Sequence, residues 1–221
     1  MTLVHVPEVF VSFPELALTK WKAAQPEFDV GGRKRYSLYG DYASLGREGR
    51  FLLPYRGSPT KRFPEFFTAL SLQREGFDCW GQVQLFDDLR PLFVNREAVR
   101  RGKGNAVRNT IHVRDEMPWR WKWPSDIQRT LAFQPRNPDI VAFDAGRAEW
   151  LFCEVKGPDD RCSGEHFEEQ LKTLTVLHLL TRSPVAIVRP VDARTPTPMP
   201  RTYKARLKYR HKAPLDWIVA R

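Results

Sequence analysis

The stretch from Pro138 to Lys156 constrains the fold more than any other part of the chain, because it has the pattern of two β-strands joined by a short turn. A glycine-containing turn near Gly146 and Arg147 suits a tight hairpin. Side chains two residues apart on a strand share a face. One face of the second strand therefore carries Trp150, Phe152, Glu154 and Lys156, and the other carries Leu151, Cys153 and Val155. The second face is uniformly apolar, so we expect it to lie in a core.

The same hairpin predicts a pair of facing carboxylates. A turn centred between Gly146 and Arg147 places Asp139 directly opposite Glu154. Cross-strand partners have Cβ atoms about 5 Å apart, and two like charges at that distance are destabilising unless something neutralises them. A divalent cation would do so, with the ammonium of Lys156 one pleat further along the same face.

These residues carry a resemblance to a known family. Pro138-Asp139 followed by Glu154-Val155-Lys156 resembles the signature of the PD-(D/E)XK nuclease superfamily. The run EVKGPDDRCS, which begins at Glu154, resembles the VRR-NUC branch, which continues from ExK into Gly-Pro, an acidic pair and an arginine. The resemblance implies a restriction-endonuclease-like fold and Mg²⁺ as cofactor, for which Mn²⁺ would substitute.

The pattern of apolar residues and helix caps predicts the order of the elements independently of this motif. A helix from Lys61 with an apolar stripe is followed by a strand from Trp80 to Phe86 and then by the hairpin. A second helix follows Ser163, its expected N-cap, and the apolar run Val185 to Val188 predicts a buried strand. The order αβββαβ predicts an α/β protein with a mixed sheet flanked by helices.

This core predicts a division of the chain into three parts. We expect residues 61–190 to form the nuclease core, with residues 87–137 as an insertion that is longer than a simple connection needs. Residues 1–60 are expected to form an N-terminal cap or extension. Residues 191–221 are expected to form a basic C-terminal extension.

The resemblance implies a role for each residue of the hairpin. Asp139 and Glu154 would be metal ligands, with the backbone carbonyl of Val155 as a third. Lys156 would orient or help to deprotonate the attacking water. The superfamily commonly adds a glutamate from the first helix, for which Glu65 is the candidate and Glu75 the fallback; the alternative is that Glu65 only stabilises the helix N-terminus.

Two further positions near the hairpin are expected to support the site. In the VRR-NUC pattern a glutamine follows the serine by a few residues, and here either Gln170, after a short insertion, or His166 takes that place. Asp159, Asp160 and Arg161 are expected to form a turn that leads into the helix, with a phosphate contact from Arg161.

The C-terminal region contains a run of alternating basic residues. If this region is extended, one face carries Lys204, Arg206, Lys208, Arg210 and Lys212. Such a ladder presents a cation about every 6.6 Å, close to the phosphate spacing of a nucleic-acid strand. A solvated edge strand that uses Lys and Arg to prevent aggregation is the alternative interpretation.

Composition narrows the class of partner. The formal net charge is +10, which favours a polyanion, and nucleic acid is the leading candidate. No apolar run approaches the roughly 20 residues of a membrane span, so no membrane partner and an intracellular, cytoplasmic protein are expected. The three cysteines, Cys79, Cys153 and Cys162, have no zinc spacing and are interpreted as reduced structural thiols.

The sequence therefore predicts a metal-dependent deoxyribonuclease, and the resemblance implies that it leaves 5′-phosphate and 3′-hydroxyl ends. Because no sequence-reading module is visible, structure-selective cleavage in repair, replication or mobile-element processing is favoured, with endonuclease favoured over exonuclease. A homodimer or a larger nuclease complex is compatible with this prediction. The alternatives are a non-catalytic nucleic-acid-binding subunit on a nuclease fold, and an RNA-directed nuclease.

Overall fold

A computed structural model of the 221-residue chain describes most of the predicted core. The described residues are 2–23, 36–39, 42–45, 51–54, 59–81, 83, 85–86, 113, 133 and 135–207. Two notable runs of the insertion, the basic run REAVRRGKGNAVRN at residues 96–109 and the tryptophan-rich run WRWKW at residues 119–123, lie outside them, as do Lys208, Arg210 and Lys212.

A six-stranded mixed sheet forms the centre of the described structure, in the spatial order β5-β6-β7-β8-β1-β9. Its strands are β1 (Thr2–Phe13), β5 (Asp78–Gly81), β6 (Ile140–Asp144), β7 (Glu149–Val155), β8 (Val185–Asp192) and β9 (Thr202–Leu207). Strands β7, β8 and β1 run parallel, whereas β5, β6 and β9 join by antiparallel pairing. Strands β2 (Tyr36–Tyr39), β3 (Tyr42–Leu45) and β4 (Phe51–Pro54) form a separate antiparallel sheet.

Helices cover both faces of the six-stranded sheet. They are α1 (Ala17–Lys22), α2 (Pro59–Arg74) and α3 (Glu165–Thr181). One apolar cluster joins α1 and α2 to one face through Trp21, Phe66 and Phe67, which are almost fully buried. The other joins α3 to the opposite face through Phe167, Leu174 and Leu177. The α/β class, the mixed sheet and the flanking helices are therefore confirmed.

The predicted hairpin is present with the predicted register. Ile140 pairs with Cys153 and Asp144 pairs with Glu149, which is the pairing that the turn position required. The carboxylate of Asp144 accepts hydrogen bonds from the backbone N–H groups of Gly146 (2.9 Å) and Arg147. Trp150 and Phe152 belong to the cluster on the α3 face, and Cys153 and Val155 to the cluster on the α2 face, so both predicted faces are confirmed.

The first predicted strand was wrong in its bounds. Strand β5 spans Asp78–Gly81 and not Trp80 to Phe86. Val83, Leu85 and Phe86 are buried but lie outside any strand, so their apolar alternation reflects burial in the α3-face cluster. The N-cap of α3 was also wrong: it is Gly164, with φ of 87°, and not Ser163.

Both predicted extensions contribute strands to the central sheet. Strand β1 is not part of a cap, because it lies between β8 and β9 and pairs with both. Strand β9, within the predicted C-terminal extension, pairs with β1 at the sheet edge. The physical reason is burial, since Val6 and Leu207 are fully buried in the α3-face cluster. Among the described residues, no helix is long and apolar enough to cross a membrane.

Candidate active site

Asp139 and Glu154 meet at one end of the hairpin, on the face of the sheet that α3 covers. Asp139 directly precedes β6 and Glu154 lies near the end of β7. The backbone N–H of Val155 donates to Asp139 Oδ2 at 2.8 Å, which fixes the Asp139 carboxyl against β7. Each of the two carboxyl groups also shifts the pKa of the other. The expected facing pair of carboxyl groups is therefore present.

The electrostatics of this pair favour retention of a proton. Burial, together with the neighbouring charge of Asp139, raises the pKa of Glu154 from 4.5 to about 9. Burial also raises the pKa of Asp139, although the Val155 N–H, the Glu154 hydrogen bond and the Lys156 charge act in the opposite direction. Two carboxylates that share a low-dielectric site cannot both ionise cheaply, so the pair retains one proton at neutral pH.

Lys156 and Gln170 lie against this pair. The ammonium of Lys156 donates to Glu154 Oε1 at 3.0 Å and to Gln170 Oε1 at 2.7 Å. The side-chain amide of Gln170 also donates to Glu154 Oε1. Lys156 is further placed over the ring of Phe167, 5.9 Å from its centre. The structure thus brings Gln170, the uncertain sequence candidate, into direct contact with the site.

Glu65 approaches the pair from α2. Burial raises the pKa of Glu65 to about 7, and the charge of nearby Asp139 is the second cause of this rise. Glu65 Oε1 accepts from Arg62 at 3.1 Å, whereas Oε2 is buried and has no hydrogen-bond partner among the described residues. Glu75 is exposed beyond the end of α2, about 15 Å from Glu65 along the helix axis. Glu65 is therefore the better candidate for a glutamate that joins the site.

The carboxyl pair opens into a polar cavity of about 550 Å³ between α3 and the segment that precedes Asp139. Its lining includes Arg136, Asn137, His166 and Glu169 as well as Asp139, Glu154 and Gln170. Arg136 Nε donates to Glu169 Oε2 at 2.7 Å, which ties this segment to the helix. Sequence reasoning gave no role to Arg136 or Glu169, although Arg136 lies three residues before Asp139.

The described residues contain no group of three or more His, Cys, Asp or Glu side chains arranged to hold a metal ion. Within this part of the chain the donors are therefore the Asp139 and Glu154 pair, with Glu65 near it but outside a common ligand set. Among the described residues, a further protein ligand would be a backbone or amide oxygen, and the backbone oxygen of Val155 is the predicted one.

The loop that follows Lys156 forms the predicted turn. The carboxylate of Asp160 accepts from the Gly157 N–H at 2.6 Å, and the Asp160 N–H donates to the Gly157 carbonyl at 3.1 Å. Arg161 is exposed in this loop. It does not line the cavity that the carboxyl pair opens into.

The described part of the basic ladder lies elsewhere. Lys204 and Arg206 are exposed on edge strand β9, where they alternate with buried Ala205 and Leu207, as an extended run predicts. Their strand partners are His5 and Leu3, whose side chains lie on the α2 face. Lys204 and Arg206 are thus on the opposite face from Glu154, and the structure does not bring them to the carboxyl pair.

Comparisons with protein-family models, with curated proteins and with solved structures found no match to this chain.

Proposed function

We propose that this protein is a Mg²⁺-dependent nuclease of the PD-(D/E)XK type that hydrolyses phosphodiester bonds of DNA. The observation that carries the proposal is the adjacent Asp139–Glu154 pair, with Lys156 against it, at the mouth of a polar cavity. A structural role alone does not account for this pair, because a buried carboxyl with a raised pKa costs folding free energy. Perturbed carboxyl groups in a cavity are typical of functional sites.

The donor set fits a hard divalent cation. Carboxylate oxygens are the ligands that Mg²⁺ prefers, and Asp139 and Glu154 would hold it, with the Val155 carbonyl as a third ligand. The buried, unpartnered Oε2 of Glu65 is a further acceptor, which suits a contact through a metal-bound water. When bound, Mg²⁺ would stabilise negative charge on the phosphate oxygens and lower the pKa of water.

The residues of the chain then have distinct tasks. Asp139 is oriented by the Val155 N–H, so its second oxygen is available for a ligand. Lys156 is held by Glu154 and Gln170, and its ammonium would orient the attacking water or offset charge on the phosphate. Gln170 positions both side chains by donating to one and accepting from the other. Catalytic hydrogen bonds commonly tighten only when the substrate is bound.

The topology supports the same proposal. Elements α2, β5, β6, β7, α3 and β8 follow the order αβββαβ, which is the core order of restriction-endonuclease-like nucleases. The net charge of +10 favours a polyanionic substrate. Because no base-reading module is visible in the sequence, we propose structure-selective cleavage of flaps, junctions or single strands.

The test is a cleavage assay on single-stranded, duplex, flap and four-way DNA, and on matched RNA, with Mg²⁺ or with EDTA. Asp139→Asn, Glu154→Gln and Lys156→Ala should each lower the rate by at least about 100-fold, since loss of about 2.7 kcal/mol of transition-state stabilisation has this effect. Cleavage that persists in EDTA, or a fully active Lys156→Ala variant, would refute the mechanism.

The hairpin supplies matched controls. Asp144 and Glu149 are a second Asp–Glu pair in the same register, at the turn end and on the α2 face. Asp144→Asn keeps the oxygen that caps the turn, and Glu149 is exposed. Both Asp144→Asn and Glu149→Gln should retain wild-type rates. Binding of DNA without cleavage by the wild-type protein would favour the non-catalytic subunit.

A further inference from the structure

A second cavity, of about 470 Å³, opens beside the loop that leads into α3. Its apolar wall comprises Phe10, Pro158, Val191, Pro198 and Met199. Its position follows from strand register: Ile187 of β8 pairs with Glu154 on one side and with Glu8 on the other, so these three residues form one row across the sheet. Neighbouring strands are about 4.8 Å apart, so Glu8 lies about 10 Å from Glu154 on the same face.

The floor of this cavity is a fixed polar network centred on Arg189. The guanidinium of Arg189 donates to the carbonyl of Pro158 at 3.0 Å and to Cys162 Sγ at 2.6 Å, and it lies 3.3 Å from the Glu8 carboxylate. Glu8 also accepts from the Tyr203 hydroxyl at 3.1 Å. Arg189 and Glu8 are both largely buried, so a ligand would meet a floor that is already ordered and neutral.

Two exposed cations complete the lining. Arg161 and Arg201 are solvent-exposed, and neither guanidinium has a carboxylate partner among the described residues, although the backbone N–H of Arg201 donates to Glu8 Oε2 at 3.2 Å. The cavity therefore combines an apolar wall that includes an aromatic ring, Phe10, with positive charge that is free for a phosphate. Sites for single-stranded nucleic acid combine the same two features, since bases stack on apolar and aromatic side chains while cations follow the backbone.

On this basis, and resting on the proposed nuclease function, we propose that the cavity receives an unpaired nucleobase of the substrate strand. The base would come from within about two nucleotides of the cleaved bond, because the cavity and the carboxyl pair are about 10 Å apart. Arg161 and Arg201 contact the adjoining phosphates. A base inside a duplex is stacked and paired and does not reach such a cavity, so the site selects substrates that are single-stranded next to the cleavage position.

The test is binding of short strands by the full-length protein in EDTA, where cleavage does not contribute. The probes are a thymidine tetranucleotide and an abasic tetranucleotide with the same phosphates. Stacking of one base contributes about 1–3 kcal/mol, so the thymidine strand should bind about 5- to 150-fold more tightly. A uridine tetranucleotide distinguishes an RNA strand from a DNA strand. Equal affinity for the thymidine and abasic strands would overturn the proposal.

Variants distinguish the contribution of the apolar wall from that of the two exposed arginines, Arg161 and Arg201. Met199 is 88% exposed, so Met199→Asp should fold normally and should remove most of the preference for the thymidine strand. Leu16, an apolar side chain that is 59% exposed and outside the cavity, gives the control Leu16→Asp. Combined Arg161→Ala and Arg201→Ala should weaken both strands equally and lower the log-log salt slope by about 1.4. Arg147→Ala, at the far end of the hairpin, should change neither the affinity for the two strands nor the salt slope.

The outcomes also separate this inference from the nuclease proposal. A base preference that Met199→Asp abolishes supports the cavity even if no cleavage is found. Intact Mg²⁺-dependent cleavage together with a base preference that Met199→Asp leaves unchanged would overturn the cavity alone.

Discussion

Glu154→Gln should change the pH dependence of stability in a defined direction. In the folded protein without metal, the pKa of Glu154 is raised to about 9, whereas the unfolded value is 4.5. Between these values the folded state holds a proton that the unfolded state has released. Raising the pH therefore favours the unfolded state, so the free energy of unfolding of the wild-type protein should fall from about pH 4.5 towards pH 9.

The size of this fall in the free energy of unfolding follows from the one proton that the Asp139–Glu154 pair retains. One proton changes the free energy of unfolding by at most about 1.4 kcal/mol per pH unit, so the interval from pH 6 to pH 8 costs up to about 2.7 kcal/mol. For a chain of this size, 1 kcal/mol corresponds to about 2–4 °C in Tm, which predicts a fall of about 5–10 °C. Glutamine keeps the shape of Glu154 but carries no titrating proton, so the variant should lack this fall.

The assay is thermal unfolding at pH 6, 7 and 8 in EDTA, followed by circular dichroism. Titrating groups away from this site contribute equally to both proteins, so the difference between the two Tm curves isolates the titration of the Asp139–Glu154 pair. Glu149→Gln, which changes an exposed glutamate of the same strand, should follow the wild type. Parallel Tm curves for the wild type and Glu154→Gln would refute the shared proton. Added Mg²⁺ should raise the Tm of the wild type most at pH 8, because binding displaces that proton.

Three further predictions concern Gln170, Glu65 and the described part of the basic ladder. Gln170→Leu removes a hydrogen-bond partner from Lys156 and should lower kcat at least about tenfold with little change in KM, as measured by steady-state cleavage kinetics. Glu65→Gln should weaken Mg²⁺ binding about tenfold in calorimetry, whereas unchanged affinity would limit Glu65 to a structural role. Combined Lys204→Ala and Arg206→Ala should leave kcat unchanged, and a salt slope for DNA binding that also stays constant would show that this part of the ladder contacts no phosphate.

Features that depend on interactions between residues close in the sequence could be predicted from the sequence alone. The hairpin register followed from the turn and the alternation of side chains, and it correctly placed Asp139 beside Glu154. The apolar stripe of α2 was likewise readable from the spacing of its residues. Strand β1 was not, because its burial depends on pairing with β8 and β9, which lie at the other end of the sequence. The Arg189 network was missed for the same reason, since nothing near Arg189 in the sequence indicates Glu8 or Cys162.

The interior position of β1 has a consequence for biosynthesis. This strand leaves the ribosome before the other strands of the sheet, and its partner β8 is translated much later, since Glu8 and its partner Ile187 are 179 positions apart. Contacts of such long range are slow to form, because the chain must close a large loop before they contribute free energy. Until then, the apolar side of β1 is exposed to other nascent chains. Co-translational folding of this protein should therefore stop short of the complete sheet, which closes only once synthesis has passed β9.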